Sequence, residues 1–275
     1  MNTLPATAVT SRKDDKLAPS ATLEYRPLDD VLLYLSYKKG FKSGGFVDNA
    51  YRNPTIPLEP EKAQNYEIGA KGDLGPLAFD VAVYRIDWTD VQVLGGVTPP
   101  GGQTVFVTTN GGEARSQGIE WAFSATPVQD FTISWSGSAV DAELTSDAPG
   151  IAGLAGDNLP YVPKFSSTVD LDYRIPLSDT AAVRLGGSWS HIGERNGEFI
   201  AFPLFSNNPE IPDYDTVDLR AGLEFGNYRF DALARNIGNT VGITGYRSAA
   251  GFNGETGQAA IVQPRSFILR ISGQF

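Results

Sequence analysis

Apolar and polar positions alternate along this chain with a period of two, the mark of β-strands with one apolar and one polar face. From 31 to 41 the odd positions carry Val31, Leu33, Leu35, Tyr37 and Phe41, while Ser36 and Lys38 lie between them. Phe165, Val169, Leu171 and Tyr173 alternate with Ser166, Thr168, Asp170 and Asp172. Val183, Leu185, Gly187 and Trp189 alternate with Arg184 and Ser188. Val217, Leu219, Ala221, Leu223 and Phe225 alternate with Asp218, Arg220 and Glu224. Phe267, Leu269, Ile271, Gly273 and Phe275 close the chain against Ser266, Arg270, Ser272 and Gln274. No comparable helical stripe is present. The runs predict eleven strands, at 20–26, 31–41, 62–73, 78–93, 104–125, 131–142, 164–174, 180–194, 214–225, 228–237 and 264–275.

The connections between these runs alternate in length. Short ones fall near 27–30, 74–77, 126–130, 175–179 and 226–227, and long ones near 42–61, 94–103, 143–163, 195–213 and 238–263. All tight turns then lie at one end of the sheet and all long loops at the other, which is how outer-membrane barrels are built. Most runs also reach the ~9–11 residues a tilted strand needs to cross a bilayer. Tyr25, Phe131, Tyr173, Phe225 and Tyr228 sit beside the short turns, where an aromatic girdle belongs. The expected fold is therefore all-β, a transmembrane antiparallel barrel wall. Alternation alone leaves a soluble sandwich open.

Two hairpins can be registered by arithmetic. A two-residue Gly226-Asn227 turn of type II′ sets Phe225 opposite Tyr228, Glu224 opposite Arg229, and Asp218 opposite Arg235. Gly75-Pro76 likewise sets Lys71 opposite Asp80. These are expected lumen ion pairs, each worth ~0.2–1 kcal/mol as cross-strand glue.

Composition narrows the chemistry. Among 275 residues, 22 Lys+Arg face 32 Asp+Glu, a net charge of −10, so no basic footprint for nucleic acid exists. There is no Cys and a single His, His191, which excludes disulfides, thiolate metal sites and cysteine nucleophiles. His191 has no His or Cys in ligand spacing and is expected to be structural or interfacial near the extracellular rim. Asp87 with Asp90 and Asp213 with Asp215 are close acid pairs that nothing in the sequence places in a cleft. The GFKSGG at 40–45 lacks the G-K-[ST] ending of a phosphate loop. No cofactor is implied, and the reading is a non-enzyme.

Longer motifs now matter. Residues 33–46 read LYLSYKKGFKSGGF, 58–74 LEPEKAQNYEIGAKGDL, 81–93 VAVYRIDWTDVQV and 110–127 NGGEARSQGIEWAFSATP. Near the end come ARNIGNTVGITGY at 234–246 and PRSFILRISGQF at 264–275. This succession resembles the C-terminal half of the barrel of TonB-dependent outer-membrane receptors, with ARNIGN departing from the family's N-L-x-D-like sequence. The resemblance implies a 22-stranded barrel, of which eleven strands are the second half. It divides the chain into 1–18, an extracellular loop remnant, and 19–275, the C-terminal half-barrel, with the plug domain absent. It implies a Gram-negative outer-membrane location and import of a large scarce nutrient, most often a ferric siderophore. Its partners would be the lipid bilayer, the missing N-terminal half-barrel and plug, TonB through that plug, and the barrel assembly machinery. That machinery would read Phe267, Leu269, Ile271 and Phe275.

Within the loops, Phe199, Phe202 and Phe205 stand among Pro203, Pro209 and Pro212 and are the candidate contacts for a small-molecule ligand. A passive porin or adhesin barrel, and a soluble β-sandwich binding module, remain alternative functions.

Overall fold

The computed structural model describes residues 12–46, 57–97, 105–151, 153–197, 199, 210–247 and 258–273. Eleven long strands form one sheet in which every neighbour in sequence is a neighbour in space. They are β1 Ser20–Leu28, β2 Val31–Lys42, β3 Glu61–Asp73 and β4 Leu77–Thr89. β5 Glu113–Val128, β6 Phe131–Leu144, β7 Phe165–Ser178 and β8 Ala181–Ile192 follow. β9 Tyr214–Phe225, β10 Tyr228–Arg235 and β11 Ser266–Gly273 complete the wall. Every pairing is antiparallel.

Four of the five short connections are tighter than the sequence suggested, because the strands run on into the turns, and the fifth is the expected Gly226-Asn227. Asp29-Asp30, Gln129-Asp130, Asp179-Thr180 and Gly226-Asn227 each suffice to reverse the chain. Gly75 (φ 80°) and Gly226 (φ 54°) hold the first turn position in the left-handed region, as a type II′ turn requires. The register follows from them: Phe225 faces Tyr228, Glu224 faces Arg229, and Lys71 faces Asp80.

Two expected strands are corrected. The run at 78–93 breaks at Asp90 (φ 58°) and the run at 104–125 breaks at Gly111-Gly112, where Gly112 has φ 64°. A left-handed residue turns the strand out of its ladder, so 92–97 and 105–110 leave the wall and pair with each other as a separate ribbon. Similar small ribbons join 45–46 to 57–58, 195–196 to 210–211, and 243–247 to 258–261. All four stand at the long-loop end.

The two faces differ as the alternation requires. One presents Leu23, Ile68, Val83, Leu219 and Leu269 to the surroundings, at 69%, 59%, 50%, 50% and 84% exposure. A soluble monomer rarely exposes an apolar patch beyond a few hundred Å², whereas a bilayer rewards this band. Beside the short turns Tyr25, Tyr173, Phe225 and Tyr228 are exposed on the same face, and Phe131 meets Tyr173 edge-on at 5.6 Å. Among the described residues the sheet has no buried apolar cluster at mid-strand. The buried apolar cluster lies at the long-loop end, where Ala114, Leu144, Ala148 and Ile151 pack with Trp88, Val91, Val93, Leu159 and Phe199.

Candidate functional site on the polar face and in the loop layer

The polar face of β7–β9 carries a continuous charge network. Arg220 on β9 reaches across β8 to bind Asp170 through both terminal nitrogens at 2.7 Å. The same guanidinium donates to Asp172 at 3.1 Å and to the Leu171 carbonyl at 2.9 Å. Next to it, Glu224 accepts from Arg174 on β7 at 3.0 Å and from Arg184 on β8 at 2.8 Å. Arg174 and Arg184 stand directly opposite each other in the ladder. Two like charges so placed repel, and the Glu224 carboxylate between them reverses the sign of the contact. Such charge-assisted, forked bonds are short and directional.

Towards β6 the charges give way to hydroxyls. Ser134 donates to Ser124 at 3.4 Å, Ser138 meets Ser166 at 3.0 Å, and Thr168 meets Ser190 at 3.0 Å.

The three expected ion pairs fare differently. Lys71 donates to Asp80 at 2.8 Å. Glu224 and Arg229 are ladder partners, yet their charges part: Glu224 turns to Arg174 and Arg184, and Arg229 binds Asp231 at 2.8 Å on its own strand. Asp218 does not take Arg235 either. It accepts the backbone N–H of Asn236 at 2.8 Å, where the chain leaves β10 in a left-handed residue (φ 46°). For Glu224 the reason is reach, since Arg174 spans β8 past the small Ala182; for Asp218 it is the turn at Asn236, whose N–H takes the carboxylate.

In the loop layer, Phe199 is partly buried and packs against the buried cluster. Phe202, Phe205 and the terminal Phe275 lie outside the described residues. Phe267, Leu269 and Ile271 are exposed on the apolar face of β11. Asn236, within the departing ARNIGN motif, is buried and organises its turn: its Nδ2 donates to the Thr240 and Gln263 carbonyls, and its Oδ1 accepts from the Thr240 N–H.

Arg195 and the aromatic chain around His191, itself expected to be structural or interfacial, escaped the sequence reading. Arg195 is buried, donates to the Gly193 and Ile243 carbonyls, and lies 5.7 Å from the Tyr214 ring centroid, tying two loops together. His191 lies on the apolar face, 3.1 Å from Asp215 and stacked on Trp189 at 6.0 Å. Through Phe165 and Trp121 these rings continue to Trp135, making a second aromatic band on the long-loop side. The period-two spacing of Trp189 and His191 was its one sequence signal. Among the described residues no group of three His, Asp or Glu is placed to hold a metal ion.

The comparisons with known proteins agree with this architecture. The family described as TonB dependent receptor-like, beta-barrel, matches residues 2–244. The metal-pseudopaline receptor CntO of Pseudomonas aeruginosa is 30% identical over 205 residues, covering 74% of this chain and 26% of that receptor. The ferrichrome outer membrane transporter/phage receptor of Escherichia coli is 26% identical over 212 residues, covering 76% of this chain and 26% of that protein. The chain thus spans about a quarter of the length of these relatives. Among solved structures, the ferric yersiniabactin uptake receptor FyuA of Yersinia pestis superposes with a TM-score of 0.75 at 18% identity, over 94% of this chain and 37% of that one. BauA, the ferric preacinetobactin receptor of Acinetobacter baumannii, gives 0.70 at 21% identity, over 92% and 36%. The chain belongs to the TonB-dependent receptors, whose β-barrels lie in the outer membrane of Gram-negative bacteria.

Proposed function

We propose that this chain is the C-terminal half of the barrel of a receptor that imports a large, scarce nutrient, a ferric siderophore being the substrate class. The observation that carries the reading is the two-faced wall: an exposed apolar band outside and the Asp170–Arg220–Asp172 and Arg174–Glu224–Arg184 networks inside. An apolar exterior needs lipid, and a charged interior needs water or a polar domain to face. A plug fits that requirement, and TonB would act through it. The named specificities of relatives, metal-pseudopaline, ferrichrome and ferric yersiniabactin, support a metal–chelate cargo. Residues 1–18 then belong to an extracellular connection ahead of β1. The last strand, with Phe267, Leu269 and Ile271, together with Phe275 in the sequence after it, is the segment offered to the barrel assembly machinery. The chain supplies no catalysis.

Radio-iron uptake decides the matter. Cells carrying the intact receptor should take up a ferric siderophore only while TonB is present and the inner membrane is energised. Uptake that persists without TonB would favour the passive-porin alternative and overturn this reading.

A further inference from the structure

At the long-loop end three stretches of chain converge on two side chains. The ribbon of 45–46 with 57–58 holds only two residue pairs of its own, too few to stand alone. Arg12 supplies what the ribbon lacks. Its Nη1 donates to the Leu58 carbonyl at 2.8 Å and its Nη2 to Glu59 Oε2 at 2.8 Å, while its Nε donates to Asp14 Oδ1 at 2.8 Å. Asp14 Oδ2 accepts the Gly44 N–H at 2.9 Å. One arginine–aspartate pair therefore grips both arms of the ribbon. Gly44 makes the approach possible, because a Cβ there would stand 2.2 Å from the Leu58 oxygen and 2.8 Å from Arg12 Cζ.

Glu59 passes the connection onward. Its N–H donates to Asn110 Oδ1 at 2.7 Å, and Asn110 Nδ2 returns a bond to the Glu59 carbonyl at 2.8 Å. Asn110 Nδ2 also donates to the carbonyl of left-handed Asp90 at 2.8 Å. Gln92 Nε2 donates to the Ser43 and Glu59 carbonyls at 2.9 and 3.1 Å, and the Gln92 N–H donates to Glu61 at 3.0 Å. The side chain of Glu59 thus faces Arg12 while its backbone faces the next loop.

We propose that Arg12 is a positioning residue of the receptor's mouth, latching 12–14, the ends of the 43–60 connection and the ends of the 90–112 connection into one body through Glu59. The guanidinium fork is essential to this, since it serves an aspartate, a carbonyl and a glutamate in one plane, which an ammonium cannot do. The described ends of these connections are then held as one body rather than separately. The inference rests on the receptor reading only for its description of this end as a mouth.

Hydrogen exchange on the full-length receptor in detergent micelles tests it without any ligand. Arg12→Met should speed exchange at least tenfold at the Gly44, Glu59 and Gln92 amides together, with amides inside β3 and β4 unchanged. Arg12→Lys should leave most of the acceleration at Glu59 in place. Acceleration confined to Gly44, no acceleration, or full rescue by lysine would each overturn the latch. Should Arg12→Met fail to assemble, Asn110→Ala reads it from the far side: Gly44, which Asn110 does not touch, should also accelerate, and protection retained at Gly44 would overturn the coupling. A receptor that transports no siderophore would still show these exchange effects, so the two readings fail separately.

Discussion

The guanidinium of Arg220 lies flat over Gly186: a Cβ on that glycine would stand 2.5 Å from Arg220 Nε and 2.7 Å from its Cζ. The bare backbone of β8 is what lets a β9 arginine reach the β7 carboxylates. Ala182, fully buried on the same strand, stands opposite Glu224 in the ladder and keeps that position small.

Gly186→Ala should therefore destabilise the receptor by about 1–3 kcal/mol, the usual range for overfilling a closed contact. Arg220→Ala should cost ~1–2 kcal/mol, between an exposed and a buried ion pair, because the side chains involved are about one-third exposed. The two effects should not add when measured by urea unfolding in micelles. Additive costs would show that the arginine does not depend on the glycine.

How much of this was legible in the sequence depends on the range of each interaction. Tight turns fix register locally, so Lys71 with Asp80 and Phe225 with Tyr228 followed from Gly75 and Gly226 alone. The choice of ionic partner did not, because Arg220 ignores its ladder partner Leu233 and bonds a strand two places away. The break at Asp90 was also hidden, since Val91 and Val93 carry the alternation past it into the ribbon of 92–97 and 105–110, whereas Asn110-Gly111-Gly112 is a turn signal with no apolar alternation across it. Phe199 illustrates a third limit: an aromatic residue in a loop reads the same whether it faces a ligand or the neighbouring loop's buried cluster.

The face assignment makes an ordered prediction. Leu219, Ala221 and Leu223 lie on the exposed apolar face of β9, with Arg220 and Glu224 on the other. An arginine facing lipid near mid-membrane costs ~2–4 kcal/mol. Ala221→Arg should accordingly destabilise more than Arg220→Ala in micelle unfolding. The opposite order would invert inside and outside.

The latch at the mouth should loosen in acid. Glu59 is held below its ordinary value of 4.5 because Arg12 donates a hydrogen bond to its charged form. A carboxyl held low in the folded state adds stability above its unfolded value, and that stability is lost as pH falls through the folded value. Exchange at the Glu59 amide, corrected for its intrinsic rate, should stay slow at neutral pH and rise only once the pH falls below the ordinary carboxylate value. Glu59→Gln cannot titrate and should show no such step; the same acid step in that variant would assign the loosening to another group.

The edges of the wall carry the last prediction. Among the described residues β1 pairs only with β2 and β11 only with β10. In lipid an unpaired backbone N–H or C=O costs several kcal/mol, so both edges must be covered. The sheet cannot cover them by simple closure, because eleven strands in strict antiparallel succession leave β1 and β11 running the same way. Joining them would create a parallel seam, and so would joining β1 of one copy to β11 of another. Closure therefore calls for a further odd number of antiparallel strands between β11 and β1, as the missing eleven would supply. The 275-residue chain expressed alone should aggregate or be degraded, while the full receptor should give a heat-modifiable band in outer-membrane fractions. A folded, heat-modifiable monomer made from this chain alone would overturn the half-barrel assignment and the strand parity on which it rests.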